Sequence, residues 1–118
     1  MLRDQKRAFD AFRLAKQASA KGKQFGDYRN AANDLPVHLV RSGLVAALAN
    51  LQRVVAGRPG AMQFRADLCA ALPVHLKAPT DELLDWAAKL STDQYMLASR
   101  EMMKLAVWFK RAVQGQAK

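Results

Sequence analysis

From Tyr95 to Val113 the residues Tyr95, Ala98, Met102, Leu105, Phe109 and Val113 follow one another at spacings of three and four. That is the period of an α-helix with one face turned to a core, and a strand, with its period of two, cannot carry it. The helix predicted from about Thr92 to Val113 is roughly 33 Å long, as long as a small domain is wide, so the elements around it must cover it lengthwise. Long alternating β-branched runs are absent, and alanine is abundant. The expectation is an all-α fold: a single compact bundle of about five to six helices, one domain over residues 1–118.

Earlier in the chain the same period predicts a helix from Leu2 to Ala20, with Ala8, Phe9, Phe12 and Ala15 as its apolar stripe. Arg3, Lys6, Arg7 and Arg13 fall off that stripe, so this helix is expected to be basic where it leaves the core. Lys21-Gly22-Lys23 ends it. A second helix is predicted from Phe25 to Arg41, with Pro36 kinking or breaking it near Asp34-Leu35 and Ser42-Gly43 stopping it. Leu44, Leu48, Leu51 and Val55 then mark a third helix, and Ala56-Gly57-Arg58-Pro59-Gly60 a loop. Ala61 to Leu72 reads as a shorter helix interrupted at Pro73. Thr80 is placed as the N-cap of a helix covering Leu83 to Leu90, with Asp81 and Glu82 in its first turn. Ser91, with Gln94 three residues on, resembles a capping box for the last helix.

The charge is unevenly distributed. Residues 1–30 carry eight Lys/Arg against three Asp/Glu, residues 31–94 six against six, and residues 95–118 five against one. The whole formal +9 therefore lies on the first and last segments. Such a surface attracts polyanions, because neutralising phosphates releases condensed counterions. On the last helix Arg100, Lys104 and Arg111 form a basic ridge opposite the core face. Met96, Met103 and Val107 add a second apolar strip there, which core packing on both sides or a protein partner would use.

Nothing in the sequence points to an enzyme. There is no Gly-x-Ser-x-Gly, no Gly-rich phosphate loop and no recognisable pair of carboxylates. His38 and His75 sit in two copies of one pentapeptide, Leu35-Pro36-Val37-His38-Leu39 and Leu72-Pro73-Val74-His75-Leu76. Neither histidine has a second ligand three or four residues away, and Cys69 does not complete a metal site. A helix terminus accounts for both copies. No cofactor, metal or small-molecule substrate is expected. The lone cysteine excludes an intrachain disulfide and suits a reducing compartment. No apolar run behind Met1 resembles a signal peptide and no stretch reaches the length of a membrane span, so the expected location is cytoplasmic, away from membranes.

A helix-turn-helix around Ser42-Gly43 is disfavoured. The helix that follows is nearly all apolar, and Asn50, Gln52 and Arg53 are too few to read base edges. Backbone contact with single strands or a ribonucleoprotein fits the charge better. Trp86 belongs to the apolar side of its helix, whereas Trp108 falls at a boundary and suits structure or contact equally.

Two blocks carry a family resemblance. The first is Tyr28, Leu35-Pro36, Ser42-Gly43-Leu44 and Leu48-Ala49; the second is Tyr95, Arg100-Glu101 and Trp108-Phe109-Lys110-Arg111. In this order, behind a short basic first helix, they resemble the small helical subunit of the Cmr-type, type III-B CRISPR effector complex. Residues 58–79 carry little of the likeness. The resemblance implies a non-catalytic, all-α subunit acting in antiviral defence. Copies of it would stack as a filament beside the other subunits of the complex, and a basic groove would help hold guide RNA and target RNA.

Helix geometry selects the candidate residues. Arg13, Lys16, Lys21 and Lys23 close the first helix, and Arg100, Lys104 and Arg111 line the last. If the terminal helices pack side by side, the two groups form one nucleic-acid-binding stripe. Val107 and Trp108 are the candidates for protein contact. Two rival functions stay open on the residues alone: a free-standing single-strand-binding helical protein, and a helical adaptor for acidic proteins.

Overall fold

In the computed structural model, which describes residues 2–116, five α-helices and two 3-10 turns follow one another. They are α1 (Arg3–Ser19), α2 (Gln24–Val55), α3 (Pro59–Ala70), the turns Val74–Leu76 and Thr80–Glu82, α4 (Leu83–Ala88) and α5 (Thr92–Gln116). No strand occurs among the described residues. The all-α expectation holds.

Helix α5 buries the face its period announces: Ala98, Met102, Leu105, Phe109 and Val113 are inaccessible or nearly so, together with Ala106 and Ala112. Its start carries one half of the expected capping box, with Ser91 Oγ accepting the Gln94 N–H at 3.3 Å. The second apolar strip is divided: Met96 is exposed and Val107 half-buried, whereas Met103 is half-buried against the core. Helices α1 and α2 pack against α5, α3 packs against α2, and α4 leans on α2. Through the middle runs an aromatic chain. Phe25 stacks on Tyr28 at 5.8 Å, Tyr28 meets Phe64 edge-on at 5.5 Å, and Phe64 meets Phe109 edge-on at 5.5 Å. It ties α2, α3 and α5 into one core, and each such pair adds about 1 kcal/mol beyond its area. The Tyr28 hydroxyl donates to Asp67 at 2.8 Å, and Gln63 Nε2 donates to the other Asp67 oxygen at 2.8 Å. Burial nevertheless pushes the Asp67 carboxyl above its ordinary value, outweighing both bonds.

Four local expectations are corrected. Pro36 does not break α2, which continues through it; the non-helical angles inside α2 belong to Gly43, at φ 83° and ψ 176°. The break thus falls where only glycine is unstrained. The first copy of the repeated pentapeptide consequently lies within α2, not at a helix terminus, whereas the second becomes the 3-10 turn behind Pro73. Helix α4 ends at Ala88, short of Leu90, and its N-cap residue is Glu82, with no side-chain cap bond. Thr80 instead opens the 3-10 turn before it.

The fourth correction concerns α1. Phe9 and Phe12 do not face the core; the buried face is Arg7, Asp10, Ala11, Leu14, Ala15 and Ala18. Small residues decide the phase. Ala11, Ala15 and Ala18 let α1 approach its neighbours closely, which two phenylalanines on that face would prevent. Arg7, expected outside, is inside.

Candidate nucleic-acid interface

Helices α1 and α5 run parallel, side by side. Arg3 and Arg7 near the start of α1 reach Glu101 in the first half of α5. Farther along, Phe12 packs edge-on against Trp108 at 6.5 Å and lies beside Gly115. The seam between the two helices is where the basic candidates gather.

Buried ion pairs lock the seam from below. Arg7 Nε and Nη2 donate to the two Glu101 oxygens at 2.8 Å each, and Arg3 Nη2 adds a third bond at 2.6 Å. Burial alone would raise the Glu101 carboxyl, but the Arg7 bonds and the charges of Arg3 and Arg7 outweigh it and hold the group below its usual range. The bond to Glu101 raises Arg7 in turn, against the cost of burial. Asp4 accepts from Trp108 Nε1 at 2.9 Å and from Arg7 Nη1 at 3.2 Å, and the Trp108 bond leads in lowering its carboxyl. Asp10 is buried against Lys6 at 2.8 Å and Arg13 at 3.6 Å. Asp4, Asp10 and Glu101 are thereby neutralised by cations of their own chain, so the outward charge of the seam is set by its remaining Lys and Arg.

The predicted site residues fall into groups. Lys104 and Arg111 share an open depression with Asp4, Arg7, Val107 and Trp108. The Arg111 guanidinium lies over the Trp108 ring, 4.9 Å from its centroid. Arg13 and Lys16 line a second depression with Phe9, Phe12 and Gln116. The Phe12–Trp108 pair walls the two apart. Arg100 is exposed on α5 four residues before Lys104. Lys21 leaves the seam: its Nζ donates to Gln63 of α3 at 3.2 Å. Lys23 is exposed at the start of α2. Val107 and Trp108 are both half-buried at the edge of the first depression.

Two features of the site escaped the sequence reading, and both had a signal. Glu101 falls three residues after Ala98, on the buried stripe itself, which called for a buried cation opposite. Phe9, Phe12, Arg13 and Lys16 are spaced by three, one and three, one face of a helix, yet that face was divided between core and solvent. Elsewhere, His38 is half-buried on α2 and His75 is exposed on its turn. No group of three or more His, Cys, Asp or Glu among the described residues is placed to hold a metal ion. Burial pushes the Cys69 thiol up, which keeps it protonated at neutral pH. No helix among the described residues is long and apolar enough to cross a membrane.

The model of the family described as CRISPR-associated protein (Cas_Cmr5) matches residues 3–116, including the middle segment, in which the sequence shows little of the likeness. The chain belongs to the Cmr5 family. A curated relative, CRISPR system Cmr subunit Cmr5 of Thermus thermophilus, is 33% identical over 113 residues, covering 96% of this chain and 94% of its own. The crystal structure of a CRISPR-associated Cmr5 family protein from Thermus thermophilus superposes with a TM-score of 0.85 at 30% identity, covering 100% of this chain and 99% of the other. The Cmr5 fold therefore extends over the whole described chain. Several residues that carried the resemblance meet in space: Tyr28 and Phe109 both touch Phe64, and the Tyr95 hydroxyl accepts the Val45 N–H at 3.3 Å just beyond Gly43.

Proposed function

We propose that this chain is the non-catalytic small subunit of a type III-B CRISPR (Cmr) ribonucleoprotein, working in the cytoplasm in antiviral defence. It contacts the backbone of guide RNA and target RNA through the basic α1–α5 seam. The observation that carries the reading is the neutralised interior of that seam within a Cmr5 fold. Its carboxylates are held by Arg3, Lys6, Arg7 and Arg13, while Lys16, Arg100, Lys104 and Arg111 are exposed. Cations so placed attract phosphates without reading sequence. Stacking on further copies and on other subunits would use the apolar side chains left outside, Val40 on α2 and Met96 and Leu97 on α5. Val107 and Trp108 would touch a neighbouring subunit.

The test is the salt dependence of RNA binding by the assembled ribonucleoprotein. Replacing Arg100, Lys104 and Arg111 together by glutamine lowers the affinity and flattens the slope of log K against log salt by roughly two to three contacts. An unchanged slope in a correctly assembled variant rules the assignment out.

A further inference from the structure

Two phenylalanines on a strongly charged helix are left in solvent. Phe9 is 57% exposed and Phe12 40%. They share one face of α1 with Arg13 and Lys16, and the four side chains line a single open depression of about 390 Å³ with Gln116 at its end. Isolated exposed apolar side chains call for no explanation. Here, however, two rings and two cations share one face, the rings preceding the cations along the helix, and Phe12 is held in place. Trp108 packs on Phe12 from behind, and Gly115 adds no side chain over it. Among the described residues, Lys16 makes no ion pair within the chain. Arg13 keeps only a 3.6 Å contact to Asp10, whose other oxygen already takes Lys6.

Rings and cations on one face match an unpaired nucleic-acid strand, whose bases offer faces for stacking and whose phosphates repeat alongside. They match an acidic protein surface less well, since carboxylate side chains would satisfy the cations and leave the rings wet. From Phe9 to Lys16 the helix rises about 10 Å, room for about three nucleotides at the 3.4 Å spacing of stacked bases. We infer that the Phe9–Phe12 face of α1 is a stacking platform for unpaired bases of single-stranded RNA, with Arg13 and Lys16 holding the adjoining phosphates. The inference rests on the RNA-contact reading above and deepens it: the seam takes bases as well as backbone.

The full-length chain is titrated with a labelled 12-nucleotide oligoadenylate and with an abasic oligomer of equal length and charge. Base–aromatic stacking at one partly exposed ring predicts roughly 5- to 10-fold tighter binding of the oligoadenylate at the same salt slope. Phe9→Ala and Phe9→Leu remove that preference without lowering the thermal midpoint, and Phe9→Tyr keeps it. Arg13→Gln with Lys16→Gln lowers the slope and leaves the preference. Equal binding of both oligomers by the parent protein overturns the platform while the backbone reading stands. No salt-sensitive binding of either oligomer overturns the platform, and the backbone reading then stands or falls on the salt slope of the assembled ribonucleoprotein. Loss of preference with Phe9→Ala but not with Phe9→Leu, or a dimer in sedimentation that Phe9→Ala dissolves, assigns the face to apolar docking and likewise overturns the proposal.

Discussion

Arg7 shows how a single residue can be misplaced by pattern and then explained by chemistry. Period alone sent it outward with its basic neighbours, whereas the structure buries it against Glu101 with two bonds of 2.8 Å. Removing one partner of a buried pair leaves an uncompensated charge, so Arg7→Ala or Glu101→Ala destabilises by about 3 kcal/mol. In a thermal melt the midpoint falls by roughly 10 °C. The pair also sets a pH dependence. Because the folded Glu101 value is depressed, its contribution is complete above the ordinary glutamate value of 4.5 and fades as the pH falls through the folded value. Glu101→Gln therefore removes part of the acid-side loss of stability, as midpoints measured from pH 7 downward would register. Gly60 is the other residue with no substitute. A Cβ there would stand 1.9 Å from the backbone oxygen of Gln24, so Gly60→Ala forces α3 off α2 and costs roughly 3 kcal/mol in chemical denaturation.

At the scale of elements, α2 is the instructive case. Both Pro36 and Ser42-Gly43 were legible as breaks, and only the second breaks the helix. Proline still fits helical φ and forfeits one bond, whereas Gly43 adopts a positive φ that turns the chain and frees the amides behind it. The Tyr95 hydroxyl from the start of α5 takes one of those amides, that of Val45. Gly43→Ala meets an unfavourable backbone rather than a clash, and should cost about 1–3 kcal/mol. Tyr95→Phe should cost about 1 kcal/mol. The two changes act on one turn, so their effects in a double-mutant cycle should fall short of the sum; strict additivity would show that Tyr95 does not serve the break. The repeated pentapeptide makes the same point in the opposite direction. One sequence is helical in the middle of α2 and a 3-10 turn after Pro73, because the residues flanking each copy and the surfaces they meet differ.

At the scale of the whole molecule the distribution of charge has consequences for stability as well as for binding. A radius of gyration of 13.2 Å holds a formal +9, and +5 of it lies on α1 and α5, packed side by side. Their mutual repulsion is screened within about 10 Å at 0.1 M salt, whereas the Arg7–Glu101 bonds are buried and feel salt little. Raising sodium chloride from 0.01 to about 0.15 M should therefore raise the denaturation midpoint. A midpoint that falls over this interval would mean that exposed ion pairs outweigh the repulsion.

The sequence by itself determined the helical class, the register of α5, the cap at Ser91, the stop at Gly43 and the confinement of positive charge to the two ends of the chain. Each of these depends on residues within a turn or two of one another, or on composition. Tertiary structure decided which face of α1 turns inward. That choice depends on how closely Ala11, Ala15 and Ala18 allow neighbouring helices to approach, and on a carboxylate at Glu101 that lies 94 residues from Arg7. By burying the arginine and exposing the phenylalanines, the packing converted an expected core stripe into the aromatic and basic face of the seam. A period of 3.6 locates a stripe on a helix; only the shape and charge of the partner surface select between two stripes that both look apolar.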